Sequence, residues 1–306
     1  MYALEKYSNN KYVKIGILVL IFLGWLIPYI NKENYLIFEI IFQFIIGIMA
    51  SIFLLIFKNT FLVLEIILLF PFMFSRGLTL YTIPIHLYIL VPLLVISFVL
   101  HLVIFKQKLK KPLFLIGLIL MLVSVVFGGS LVGYEDKLTK MLMLFLVCSL
   151  LLFLYIFFSS TTNTTFYDLS FSMLLLGILI ISQLFVYGII NPNSFLLNKG
   201  IETGWASNSN NIAMMLLFTF PFTFYLGLKN IKFKRYLYYV FSYLTIFVII
   251  ITYSRGAIFS GLISFVAMLI TLSFFKETKR SALCYLGYCF AFIFVVLLGI
   301  YIVSPQ

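Results

Sequence analysis

Residues 236–275 read YLYYVFSYLTIFVIIITYSRGAIFSGLISFVAMLITLSFF, two apolar runs joined at Ser254-Arg255-Gly256. A helix needs about 20 mostly apolar residues to cross a hydrocarbon core, so this stretch reads as two spans with a turn between them. Arg255 falls at membrane depth or at its edge. A guanidinium centred in lipid costs about 2.5–3.5 kcal/mol on insertion scales, so it requires a partner or a wet cavity.

The rest of the 306-residue chain repeats the pattern. It is 64% hydrophobic and 10% charged, with a mean hydropathy of +1.18, too few polar groups to cover a soluble globule of this length. The expected fold is an all-α polytopic transmembrane bundle, one transmembrane domain over 1–306, with about 11 spans. These are 15–30, 35–57, 60–75, 84–105, 112–132, 139–158, 167–190, 211–228, 236–253, 256–275 and 282–303. The third carries Glu65 and Pro71. Most links are short and rich in Lys, Asn, Gly or Pro, as antiparallel helix neighbours require.

The net charge of +12 is not a nucleic-acid footprint, because the basic residues form short clusters between apolar runs instead of an aromatic-studded face. They read as topology signals. With the N-terminus in the cytoplasm, Lys58, the 106–111 cluster, Lys229 to Arg235 and Lys276 to Arg280 share that side, leaving Lys32, Arg76, Lys137, Lys140, Lys199 and Arg255 opposite. The C-terminus is then outside. Lys6, Lys11 and Lys14 precede the first apolar run with no small-residue cleavage site near Pro28, which reads as a retained helix. Cys148, Cys284 and Cys289 lie in apolar runs without disulfide or zinc spacing.

Two outward helix starts carry the polar chemistry. One follows the connection that includes Gly204-Trp205 and ends Asn208-Ser209-Asn210-Asn211; the other is Ser254-Arg255-Gly256. Ser and Asn cap helix N-termini, and a helix N-terminus already carries partial positive charge. Adding Arg255 calls for something negative, and a phosphate fits both the free amides and the planar guanidinium. The plainer alternative has Arg255 snorkelling to headgroup phosphates or pairing with Glu65. Trp205 reads either as a sugar-stacking platform or as an ordinary interfacial ring.

At these positions the chain resembles the O-antigen ligase and O-antigen polymerase family, bacterial membrane glycosyltransferases that use polyprenyl-pyrophosphate-linked glycans. The likeness rests on residues 204–215, GWASNSNNIAMM, and residues 252–257, TYSRGA, inside a motif-bearing part at 190–275. The resemblance implies Arg255 as the catalytic contact to pyrophosphate, with Ser254, Gly256, Asn208, Asn210, Asn211 and Trp205 binding substrate. It implies the bacterial plasma (inner) membrane, a lipid-linked oligosaccharide substrate, lipid neighbours and other polysaccharide assembly proteins as partners. The family also has a large outward loop after the eleventh span, carrying a further Arg and a His, and then closing helices. This chain stops at Gln306, so a truncated or incomplete member is expected.

Arg76, in Ser75-Arg76-Gly77, is a second outward Ser-Arg-Gly and reads as a further phosphate contact or a plain turn. Of two histidines, His86 falls near the outer end of the fourth span and His101 near the inner end, so only His86 is placed to act as a base. A structural His is the plainer reading. Glu39 and Glu65 are protonated, paired with Arg, or line a cavity; the sequence does not choose. Asp168 reads as a first-turn acid. No Asp-x-Asp pair or His-Cys cluster is present, so neither metal nor cofactor is expected.

The expected activity is a metal-independent glycosyl transfer at the outer face, as repeat-unit polymerase or ligase for capsule, exopolysaccharide or O-antigen. A composition rich in Lys, Asn, Ile and Phe, typical of AT-rich genomes, tilts this toward a polymerase. The rival readings are a transporter or flippase of lipid-linked sugars and an inactive truncated family member. Transporters tend to be built from two corresponding halves, and both polar motifs here fall in the C-terminal half.

Overall fold

A computed structural model describes residues 7, 9–75, 86–110, 115–131, 137–192, 203–206, 209–252, 254–274 and 285. Every regular element among the described residues is helical: α1 Lys11–Ile30, α2 Tyr35–Ile56, α3 Phe61–Leu69, a 3-10 turn Phe70–Met73, α4 Leu87–Ile104, α5 Leu115–Leu131, α6 Lys137–Thr161, α7 Phe166–Ile190, α8 Ser209–Lys229, α9 Lys232–Ile251 and α10 Arg255–Phe274. A helix satisfies its backbone within one segment, as surroundings without water demand. Six of these helices are long and apolar enough to cross a membrane: α1, α2, α4, α7, α8 and α9. On α2 the exposed residues Ile37, Ile41, Ile45, Ile48 and Ile52 form one continuous stripe. Such a face suits lipid and not water, and with the six long helices it identifies a helical membrane protein.

Local rules explain most boundaries. Thr165 and Asp168 form a reciprocal capping box at the head of α7, in which the Asp168 amide donates to Thr165 Oγ1 at 3.2 Å and the Thr165 amide to Asp168 Oδ2 at 3.3 Å. The expected third span is α-helical only to Leu69, because Pro71 has no amide to donate and the chain tightens into the 3-10 turn. The expected eleventh span at 282–303 lies outside the described residues, Tyr285 excepted.

The chain divides into two compact units. The first comprises Met1–Lys14, Phe44–Leu68 and Pro84–Thr164; the second comprises Ile15–Gln43, Leu69–Ile83 and Thr165–Gln306. In the first, Phe98 meets Phe157 edge-on at 4.6 Å and Phe158 at 6.0 Å. The Thr60 and Thr161 hydroxyls join at 2.7 Å. Lys14 and Glu65, each 1% exposed, pair at 3.6 Å, with the ammonium 4.1 Å from the centre of the Phe61 ring.

In the second unit α8 packs against α7, α9 and α10. Directions follow from paired positions. Tyr167 meets Asn230, the Phe166 ring meets Tyr225, and Gly177 faces Thr219, so α7 and α8 are antiparallel. Gly227 leaves room for Tyr239, whose ring a Cβ there would meet at 2.3 Å, which brings α9 close against α8. Leu217 faces Gly261 and Phe220 faces Phe265, so α8 and α10 run parallel. Leu217 lies eight residues past Ser209 and Gly261 six past Arg255; at about 1.5 Å per residue the two starts are level to about 3 Å.

The buried ion pair generates a stability prediction. Lys14→Met alone removes the cation that pairs with the buried Glu65 carboxylate and is expected to cost about 3–5 kcal/mol, whereas Lys14→Met with Glu65→Leu should recover most of that loss. Thermal unfolding of the purified protein in detergent measures both; a double variant no more stable than the single one contradicts the expectation.

Candidate functional site

One end of the second unit holds the candidate site residues that the structure describes. Residues 203–206 form a short turn closed by the Thr203 amide donating to the Ala206 carbonyl at 3.2 Å. Two indoles fasten it. Trp25 Nε1 donates to the Thr203 carbonyl at 2.7 Å while its ring stacks on Tyr29 with centroids 4.6 Å apart. Trp205 Nε1 donates to Gln183 Oε1 at 2.7 Å, Gln183 Nε2 donates to the Phe72 carbonyl at 2.7 Å, and the indole meets the Phe72 ring at 4.4 Å. Gly204 adopts φ +91°, and a Cβ there would lie 2.2 Å from the Ser75 carbonyl carbon. Only glycine permits both that backbone and that approach.

Ser75 is itself anchored. Its amide and hydroxyl donate to Glu39 Oε2 at 3.3 and 2.8 Å, and Gln43 Nε2 donates to Glu39 Oε1 at 3.3 Å. The buried Glu39 thus holds the chain at the first Ser-Arg-Gly. Hydrogen bonds to both carboxyl oxygens offset part of the burial cost. Arg76 lies outside the described residues.

The helix starts sit at this same end. Ser254 caps α10, its hydroxyl accepting from the Ala257 amide at 3.4 Å and its carbonyl from the Ile258 amide at 2.9 Å. Ser254 is buried, whereas Arg255 and Gly256 are exposed, and a Cβ on Gly256 would meet nothing within 4 Å. Among the described residues Arg255 has no salt-bridge partner; the ion pair made by Glu65 is with Lys14. α8 begins at Ser209, two residues before the expected 211, with Asn210 and Asn211 exposed. Asn208 lies outside the described residues.

An apolar groove of about 250 Å³ runs between α8, α9 and α10, lined by Leu217, Phe220, Ile249, Ile258, Gly261 and Phe265 among others. Ile249 belongs to the last turn of α9 and Ile258 to the first turn of α10. One end of the groove therefore lies near the Ser254 turn. Chemically, this end combines two level helix starts, a guanidinium with no ion-pair partner among the described residues and an apolar slot, an arrangement suited to an anion carrying an apolar chain.

The remaining candidates have packing roles. His86, 3% exposed, precedes α4 in the first unit with its ring 6.3 Å from Phe44. His101 is fully buried, and its Nδ1 lies 2.7 Å from the Leu54 carbonyl; a carbonyl only accepts, so that nitrogen carries the proton. Among the described residues no group of His, Cys, Asp and Glu has metal-site geometry. Sequence reading missed Gln183, whose side chain bonds both the Trp205 indole and the Phe72 carbonyl. Its signal was a lone amide inside an apolar span. Comparison with protein-family models, curated proteins and solved structures returns no match.

Two glycines separate a closely packed position from an open one. Gly204→Ala is expected to cost about 3 kcal/mol or more, because strain and overlap add. Gly256→Ala should leave thermal stability within about 0.5 kcal/mol. Unfolding midpoints of the two variants in detergent test the contrast, and equal effects would refute it.

Proposed function

We propose that the chain is a membrane glycosyltransferase of the O-antigen polymerase or ligase type, acting at the outer face of a bacterial plasma membrane on polyprenyl-pyrophosphate-linked oligosaccharide. The observation that carries this reading is Arg255: an exposed guanidinium in the first turn of a capped helix, beside an apolar groove. Under this proposal about 11 spans place the N-terminus in the cytoplasm and the Ser209 and Arg255 helix starts outside, following the positive-inside distribution.

The donor pyrophosphate lies across the two helix starts, held by Arg255 and the free amides, with the first part of its polyprenyl chain in the groove. Acceptor hydroxyl oxygen attacks the anomeric carbon, the bond from that carbon to the pyrophosphate oxygen breaks, and the hydroxyl proton passes to water. Polyprenyl pyrophosphate leaves. Charge grows on the departing oxygen, and donors already aimed at it lower the barrier without reorganising. Asn210 and Asn211, exposed beside the level start of α8, are positioned for the sugar hydroxyls. Trp205, with its indole N–H committed to Gln183, supports the loop in this scheme.

Purified protein reconstituted with a lipid-linked repeat unit and a lipid-linked acceptor should form glycosidic bonds without a second compartment. Arg255→Ala is expected to lower that rate roughly 100- to 1000-fold, as loss of a donor to developing charge does. Arg255→Lys should restore little, because an ammonium lacks the planar fork. Translocation without bond formation would identify a flippase instead, and full activity in Arg255→Ala would remove the phosphate role.

A further inference from the structure

We propose that the turn between α8 and α9, residues 229–237, is a binding site for anionic phospholipid headgroups, at the end of the second unit opposite the Arg255 helix start. Lys229, Lys232, Lys234 and Arg235 fall within seven residues, and neither α8 nor α9 contains an Asp or Glu. The acid on the neighbouring helix, Asp168, is committed to the Thr165 cap. Among the described residues, then, no acid of α7, α8 or α9 is left to neutralise the patch. Sorting the chain across a membrane requires only that charge, yet two features of this turn go further.

The first is preorganisation. Asn230 Nδ2 donates to the Leu226 carbonyl at 2.7 Å and to the Tyr167 hydroxyl at 3.3 Å, and Arg235 Nε donates to the Asn230 carbonyl at 2.9 Å. Lys232 has φ 53°, a left-handed conformation that a lysine keeps only where its surroundings impose it. The cations are thus displayed from a locked turn. The second is the interleaving of apolar groups: Ile231 is 68% and Phe233 77% exposed, alternating with exposed Lys232 and Lys234. A free phosphate would use the ammonium groups and leave Phe233 in water. A phospholipid uses both, its phosphodiester on the cations and its acyl boundary against Ile231 and Phe233. The proposal does not depend on the transferase reading.

The full chain, purified in detergent with phosphatidylglycerol and phosphatidylcholine, can be examined by native mass spectrometry for retained lipid. The expected result is preferential retention of phosphatidylglycerol, with apparent affinity lowered about a hundredfold in Lys232→Gln/Lys234→Gln/Arg235→Gln, from roughly one tenfold step or slightly less per cation. Phe233→Ser, an exposed position whose change should not disturb folding, is expected to weaken retention several-fold. Lys106→Gln/Lys108→Gln/Lys110→Gln removes equal charge from the link after α4 and should leave the preference in place. Equal losses in the two triple variants, displacement by millimolar inorganic phosphate, or unchanged retention in Phe233→Ser would each overturn the proposal.

Discussion

Two indole N–H groups, one buried and one half-buried, need acceptors, and the seat they find for residues 203–206 is what the helix-start end of the second unit depends on. An unpaired N–H in surroundings without water costs several kcal/mol. Trp25 finds the Thr203 carbonyl and Trp205 finds Gln183, so a piece of irregular backbone is held inside protein instead of facing lipid. Gly204 then brings that backbone against Ser75, which Glu39 holds from the other side. Since Ser209 follows Ala206 by three residues, seating the turn also limits where α8 begins.

The start of α8 acquires chemical meaning from its neighbour. Parallel packing through Leu217 against Gly261 and Phe220 against Phe265 sets the two N-termini side by side, so the partial positive charges of two helices add to the Arg255 guanidinium. The same packing leaves the groove beneath the Ser254 turn, because Gly261 contributes no side chain to fill it. Charge and apolar space thus come from one helix–helix contact.

Much of this was legible in the sequence, for a reason that is local. Hydropathy over a span and a cap three residues from its partner are properties of contiguous residues, so most helices, the Asp168 first-turn acid and the Ser254 cap could be read directly. The seat could not. Trp25 and Thr203 are 178 residues apart, Phe72 and Gln183 are 111, and Glu39 and Ser75 are 36. Nothing in one sequence ties such positions together. For the same reason Lys14 passed for a topology charge and Glu65 for an acid with three possible fates until they met. Pro71 was visible, but its effect, a helix shortened to Leu69 and a tightened turn, depends on what the following residues pack against.

The links on either side of α9 are very short, Asn230-Ile231 before it and residues 252–254 after it, and this ties three helices into a single mechanical piece. One residue inserted into α9 would advance everything beyond it by about 1.5 Å and swing it by about 100°, carrying Arg255 away from the start of α8 with little slack to absorb the change. Relatives of this chain should therefore hardly vary in length between Ser209 and Phe265.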